Sequence, residues 1–245
     1  MGIGITEKIR RLFRSSEYVP KCSAVILAAG NSTRMGEDKI EMTTGGVPVI
    51  VRAVRAFEES DDIDEIILVT REDRVAEIAE LVSGYGFSKL KSVISGGNTR
   101  VESSLAGVLA VRHSAELIAI HDCARPFVTG KIIHDAVTTA YRYYAACPVI
   151  PCTDTMKIME NGFLGGTVDR ESLCRIQTPQ IFNADLIKGA LTYAVKNSLP
   201  VTDDTSAMEY LGYRTRIVDG DAENIKLTTP DDLIFADAIV GKRGE

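Results

Sequence analysis

Arg34 and Lys39 close a glycine-punctuated stretch, Ala28-Ala29-Gly30-Asn31-Ser32-Thr33-Arg34-Met35-Gly36-Glu37-Asp38-Lys39. Its small residues let backbone amides approach a phosphate chain, and its two cations supply charge of the kind that stabilises phosphoryl transfer. A tight turn carrying two solvated cations uses the same residues, so the stretch has a plain structural reading as well. Five residues separate Gly30 from Gly36 and no Lys-Ser/Thr pair follows, which excludes a Walker loop; a G-x-G-x-x-G dinucleotide fingerprint is also absent.

Two further groups carry chemistry. Gly96-Gly97-Asn98-Thr99-Arg100, with Ser103, combines paired glycines, which allow close contact with a flat base, with a cation and a hydroxyl spaced to share one face of a helix start. A capped helix start explains the same residues. In His121-Asp122-Cys123-Ala124-Arg125-Pro126, Asp122 is placed to hold a magnesium ion or its waters and Arg125 to hold an anionic substrate, or the two form a buried pair fixing a loop. His121 reads as a structural histidine rather than a base.

Weaker candidates are Asp154-Thr155-Met156-Lys157, Asp169-Arg170 with Gln177-Thr178-Pro179-Gln180, Thr202-Asp203-Asp204 and Asn224-Ile225-Lys226. Hydroxyls and cations at element ends suit a phosphorylated polyol, and suit ordinary caps and turns equally. Asp62-Ile63-Asp64 and Asp219-Gly220-Asp221 have an Asp-x-Asp metal pattern, but the first precedes a strand, the wrong side of a sheet for a ligand.

These residues need a scaffold, and 245 residues with 45% hydrophobic content suffice for one large domain. Twenty-eight basic against 34 acidic residues give a net charge of −6, so no general field draws in nucleic acid or an acidic membrane. Five scattered cysteines without a C-x-x-C pair read as reduced thiols of a cytoplasmic protein. No apolar run approaches the roughly 20 residues of a membrane span. Residues 1–20, with Lys8, Arg10, Arg11 and Arg14, read as a solvated N-terminal extension, and 21–245 as the domain.

Within that domain the chain alternates. Ser23 to Ala29 is an apolar run typical of a strand buried on both faces; helical spacing follows from Val49 to Phe57, a strand at Glu65–Thr70 and a helix from Asp73 to Val82. The rhythm continues with Lys91–Ile94, a helix from Val101 to Val111, Leu117–Ile120 and a helix from Lys131 to Tyr144. This predicts a doubly wound, mostly parallel α/β sheet of Rossmann-like type. Asp154 to Val168 breaks the rhythm as a hairpin with Asn161-Gly162 at its turn, an inserted β-arm spanning about 152–172. Helices follow at Ala184–Val195 and Ser206–Leu211, then a strand at Thr215–Val218. The last helix is predicted to start with Thr229 as its cap and Pro230 at its first position.

Taken in order, from about Cys22 to Val240, these segments closely resemble the 2-C-methyl-D-erythritol 4-phosphate cytidylyltransferases of the non-mevalonate isoprenoid pathway. The resemblance implies transfer of CMP from CTP to methylerythritol phosphate with release of pyrophosphate, Mg2+ as cofactor, and a homodimer formed through the arm. It assigns the triphosphate to the amides of Ala28, Ala29, Gly30, Asn31, Ser32 and Thr33, and the phosphate charge to Arg34, Lys39 and Lys226. It places cytosine against Gly96, Gly97 and Asn98, with Arg100 and Ser103 nearby, and gives Asp122 the metal. Methylerythritol phosphate falls to Asp122, Arg125, Arg170, Thr178, Thr202 and Lys226, with Thr155 coming from the partner subunit. Ser32 stands where the family commonly has glycine, Asn98 where aspartate is frequent, and the Arg34–Lys39 spacing is shorter than in many members. The rival readings are the same chemistry on ribitol 5-phosphate and a nucleotide-binding protein without turnover.

Overall fold

In the computed structural model, residues 20–30 and 42–244 are described, so Asn31, Ser32, Thr33, Arg34 and Lys39 lie outside the described residues, as does most of the N-terminal extension. The elements run β1 (Cys22–Leu27), β2 (Thr43–Thr44), β3 (Val47–Pro48), α1 (Val49–Glu58), β4 (Glu65–Thr70), α2 (Val75–Ser83), β5 (Leu90–Ser95), α3 (Arg100–Ala110), β6 (Leu117–Asp122) and α4 (Gly130–Tyr143). They continue with β7 (Ala145–Pro151), β8 (Met156–Glu160), β9 (Phe163–Val168), β10 (Cys174–Ile176), β11 (Gln180–Asn183), α5 (Ala184–Lys196), α6 (Asp204–Tyr210), β12 (Arg216–Asp219) and α7 (Asp231–Arg243).

Eight strands form one sheet in the order β10-β7-β11-β6-β1-β4-β5, with β12 on β7. β6, β1, β4 and β5 are mutually parallel, while β11 runs antiparallel to both β6 and β7. The mostly parallel α/β class is therefore as the sequence predicts. In β1, Ala24 and Ile26 face one helical layer and Val25 the other, the two-residue period of a strand covered on both sides. One layer holds α1, α2 and α4, the other α3, α5 and α6. Each fully buried Val, Ile, Leu or Phe there contributes about 1.5–3 kcal/mol. α1 alone supplies Val49, Ile50, Val51, Val54 and Phe57, all fully buried.

The sequence reading lacks β7, β10 and β11: Pro148 and Pro151 interrupt the strand signal within β7, and β10 and β11, of 3 and 4 residues, are too short to carry one. Two helix starts also differ. A 3-10 turn at Glu72–Arg74 precedes α2, and α7 starts at Asp231 with Pro230 in the cap position. Thr229 therefore lies one residue outside the cap, and Asp232 Oδ2 fixes the approach to the helix by accepting from the amides of Thr228 at 2.7 Å and Thr229 at 2.8 Å.

β8 and β9 pair only with each other. Asn161 (φ 50°) and Gly162 (φ 86°) make the left-handed turn that Asn-Gly favours. The ribbon leaves Met159, Phe163 and Leu164 more than three-quarters exposed. No helix among the described residues is long and apolar enough to cross a membrane, and none of the five cysteines forms a disulfide.

Candidate active site

The sheet reverses its winding between β1 and β6, and the segments leaving the carboxyl ends of β1, β4, β5 and β6 border a cavity of about 460 Å³. Ala28, Ala29 and Gly30 enter from β1, Arg71 and Glu72 from β4, Gly96 to Arg100 and Ser103 from β5 and α3, and Asp122 from β6; Lys226 reaches in from the loop before α7.

The β5 turn owes its shape to close packing. A Cβ on Gly96 would sit 2.5 Å from Ser103 Oγ, and one on Gly97 would sit 2.3 Å from Glu102 Cβ. Thr99 caps α3 in a reciprocal capping box with Glu102, while Ser103 Oγ accepts from the Gly97 amide at 3.2 Å and donates to the Thr99 carbonyl at 3.0 Å. The capped-helix reading thus holds for the very residues that wall the cavity.

Charge is organised around Asp122. Its Oδ1 accepts from Arg100 Nε (3.2 Å) and Nη2 (3.1 Å), and its Oδ2 accepts from Lys226 Nζ at 2.6 Å. Burial alone would raise the Asp122 pKa, but Arg100 and Lys226 outweigh it and hold the carboxyl far below the usual range. Burial likewise opposes the Arg100 charge, and Asp204 with Asp122 overcomes it. The pair considered from sequence, Asp122 with Arg125, is not the one formed. Arg125 instead donates from Nη1 to the Asn224 carbonyl at 2.7 Å and from Nη2 to the Ile176 carbonyl at 3.4 Å.

Beneath Asp122 lies a directional chain. His121 is fully buried, and burial depresses its pKa to about 4, so the ring is neutral. Its Nε2 lies 3.0 Å from the Arg125 carbonyl, which can only accept, so Nε2 carries the proton. Nδ1 then accepts from Thr178 Oγ1 at 2.9 Å, and Thr178 Oγ1 accepts from the Asp122 amide at 3.1 Å. His121 is structural, as its sequence context suggests. Gln177 and Asn224 hold the Lys226 loop: Gln177 Nε2 donates to the Asp221 carbonyl at 2.7 Å, and Asn224 Nδ2 to the Thr178 carbonyl at 3.0 Å.

The remaining expected residues lie elsewhere. Thr202 is exposed ahead of α6. Thr155 and Arg170 are exposed at the base of the arm, where Arg170 Nη1 donates to the Thr153 carbonyl at 3.3 Å. Arg71 and Glu72 were not among the expected site residues, and Asp204 was expected only as part of the weak Thr202-Asp203-Asp204 candidate. The first two follow directly after β4, where residues leaving strand ends repay reading; Asp204 gave no local signal beside its capping neighbour Asp203. Asp122 and Glu72 are the carboxylates that line the cavity, and no grouping of three or more His, Cys, Asp or Glu that could hold a metal ion exists among the described residues.

Residues 22–242 match the family model described as 2-C-methyl-D-erythritol 4-phosphate cytidylyltransferase. Proteins of that name from Halalkalibacterium halodurans and Caldanaerobacter subterraneus are 42% and 39% identical; each alignment covers 90% of this chain, and 97% and 99% of the relatives. The crystal structure of 4-diphosphocytidyl-2C-methyl-D-erythritol synthase from Anaerococcus prevotii superposes with a TM-score of 0.81 at 30% identity, covering 91% of this chain and 96% of the other. The cytidylyltransferase structure from Thermus thermophilus gives 0.74 at 30% identity, covering 89% and 98%.

Proposed function

The chain belongs to the 2-C-methyl-D-erythritol 4-phosphate cytidylyltransferase family, and from that membership we propose that it converts CTP and 2-C-methyl-D-erythritol 4-phosphate to CDP-methylerythritol and pyrophosphate. The observation that carries the reading is the meeting of Asp122 and Lys226 in a cavity at the sheet's switch point, walled by Ala28, Ala29 and Gly30 and by the Gly96-Gly97 turn.

An acceptor phosphate oxygen forms the new bond to the α-phosphorus as the bond to the bridging oxygen of pyrophosphate breaks. That oxygen is anionic at neutral pH and needs no general base, which accords with a neutral His121 whose two ring nitrogens are already engaged. What the protein must do is bring two anions into line and offset their charge. We assign that work to Arg34, Lys39 and Lys226, the triphosphate to the amides of residues 28–33, and cytosine to Gly96, Gly97, Asn98, Arg100 and Ser103. The acceptor lies toward Asp122, Lys226 and Thr202, with Arg125 and Thr178 shaping that end. A cavity with few carboxylates suits Mg2+, which takes one or two protein carboxylates and completes its shell with water and phosphate oxygens. Asp122 would hold it, and the ion would neutralise phosphate charge. Thr155 and Arg170 serve a neighbour's site in a homodimer made through the arm, whose apolar exposure supports a partner.

The test is pyrophosphate release with each of the four nucleoside triphosphates, against methylerythritol phosphate and ribitol phosphate. CTP with methylerythritol phosphate should exceed CTP with ribitol phosphate by at least about tenfold in kcat/KM. Equal or reversed preference overturns the acceptor assignment, and no release with CTP overturns the reaction.

A further inference from the structure

We propose that Asp204 is a positioning residue for this reaction, holding the Arg100 guanidinium so that Asp122 keeps the orientation in which it meets Lys226. The inference rests on the reaction proposed above. Asp204 is fully buried at the first turn of α6, with its amide tied to Gln180 Oε1 at 3.0 Å. Its Oδ2 lies 2.8 Å from Arg100 Nη2, and its Oδ1 has no hydrogen-bond partner among the described residues.

A carboxylate buried on such terms costs stability relative to a well-packed apolar side chain, so fold maintenance is a poor account of it. Nor does it cap its helix. Asp203 does that, with Oδ1 accepting from the Ser206 amide at 3.1 Å and Oδ2 from Thr205 Oγ1 at 2.6 Å. What Asp204 does touch is Arg100, while Nε and Nη2 of the same guanidinium grip Asp122 Oδ1. Three segments far apart in sequence, at 100, 122 and 204, are thereby locked side by side. Without the Asp204 charge, Arg100 has one carboxylate left and an adjoining cavity meant for a polyanion, so it is free to turn toward the triphosphate and release Asp122.

The experiment compares Asp204→Asn, Arg100→Lys and the double variant in kcat and in KM for CTP, with urea denaturation alongside. Asp204→Asn should lower kcat by about tenfold or more and change KM by less than about threefold, as expected when alignment rather than ground-state binding is lost. In the Arg100→Lys background it should add little, because coupled residues are not additive. Should Asp204→Asn not fold, Asp204→Leu, which removes the charge and keeps an apolar filling, takes its place with the same expectation. A substrate-free readout separates this from the reaction assignment: the Arg100 Nε–H signal in ¹⁵N NMR, identified by its absence in Arg100→Lys, should broaden or shift in the Asp204 variant. If that signal responds while the wild type releases no pyrophosphate, the reaction is wrong and the contact stands. Wild-type kcat in the Asp204 variant, additive losses, or a fall in stability with no change in kcat would each overturn the proposal.

Discussion

Lys226 Nζ lies 2.6 Å from Asp122 Oδ2 across 104 positions of sequence. The ammonium is partly exposed while the carboxylate is nearly buried, so the cation faces the cavity with its position fixed from behind. A cation preset in this way needs little reorganisation when phosphate charge develops before it.

Lys226→Ala and Lys39→Ala should each lose turnover by about a hundredfold, equivalent to about 3 kcal/mol of transition-state stabilisation. Their melting temperatures, measured in parallel, should stay close to wild type. Near wild-type turnover in both would show that phosphate charge is met by other groups.

His121 should stay neutral far into the acid range. With a folded pKa of about 4 against about 6.5 unfolded, the unfolded chain binds a proton that the folded one refuses. Its contribution is therefore fully present above about pH 6.5 and is lost as pH falls toward about 4, by up to about 1.4 kcal/mol per pH unit. Urea stability of wild type and His121→Asn across that window should show a shallower slope in the variant, and ring ¹⁵N shifts should report the Nε2–H tautomer at pH 6. An imidazolium signal at that pH would refute the directional chain to Thr178.

Gly97→Ala should destabilise the fold by about 1–3 kcal/mol, the usual cost of overpacking, because the new Cβ meets Glu102 Cβ at 2.3 Å rather than the end of a flexible chain. The same shift displaces the capping box, so the affinity for CTP should fall with it. Equilibrium denaturation and calorimetric titration of CTP check the two parts, and an unchanged denaturation midpoint would count against the packing argument.

The arm should hold a dimer. Leu164→Asp, on a residue 81% exposed in the single chain, should shift sedimentation toward monomer. If Thr155 reaches the neighbour's site, Thr155→Ala, once shown to be severely impaired alone, should complement Lys39→Ala. In a mixed dimer two-fold symmetry gathers both lesions in one site and leaves the other whole, restoring up to roughly half the activity. No recovery after verified subunit exchange would defeat the shared site.

Much of this molecule is decided locally and was legible for that reason. Ser23 to Ala29 is apolar at every step because both faces of β1 are covered, Asn161-Gly162 can turn left-handed where other pairs resist, and Gly96-Gly97 announces a close approach. Those signals give the parallel α/β order, the arm and the loops that border the cavity. Strands β7, β10 and β11 were not legible, since Pro148 and Pro151 erase the strand pattern of β7 and the other two are too short to show one; sheet pairing supplies all three.

Partner choice among charges was not legible either. From sequence, Asp122 and Arg125 look like mates because they are three residues apart, yet the fold turns Arg125 to two backbone carbonyls and brings Asp122 its cations from 22 and 104 positions away. Asp204 is a surface-type residue in a polar run until α6 packs it out of water against Arg100. Local periodicity determines which elements form and where their ends fall. Which ends meet, and so which charges are desolvated together, depends on long-range packing, and that decides how Arg100, Asp122, Asp204 and Lys226 come to act as one group.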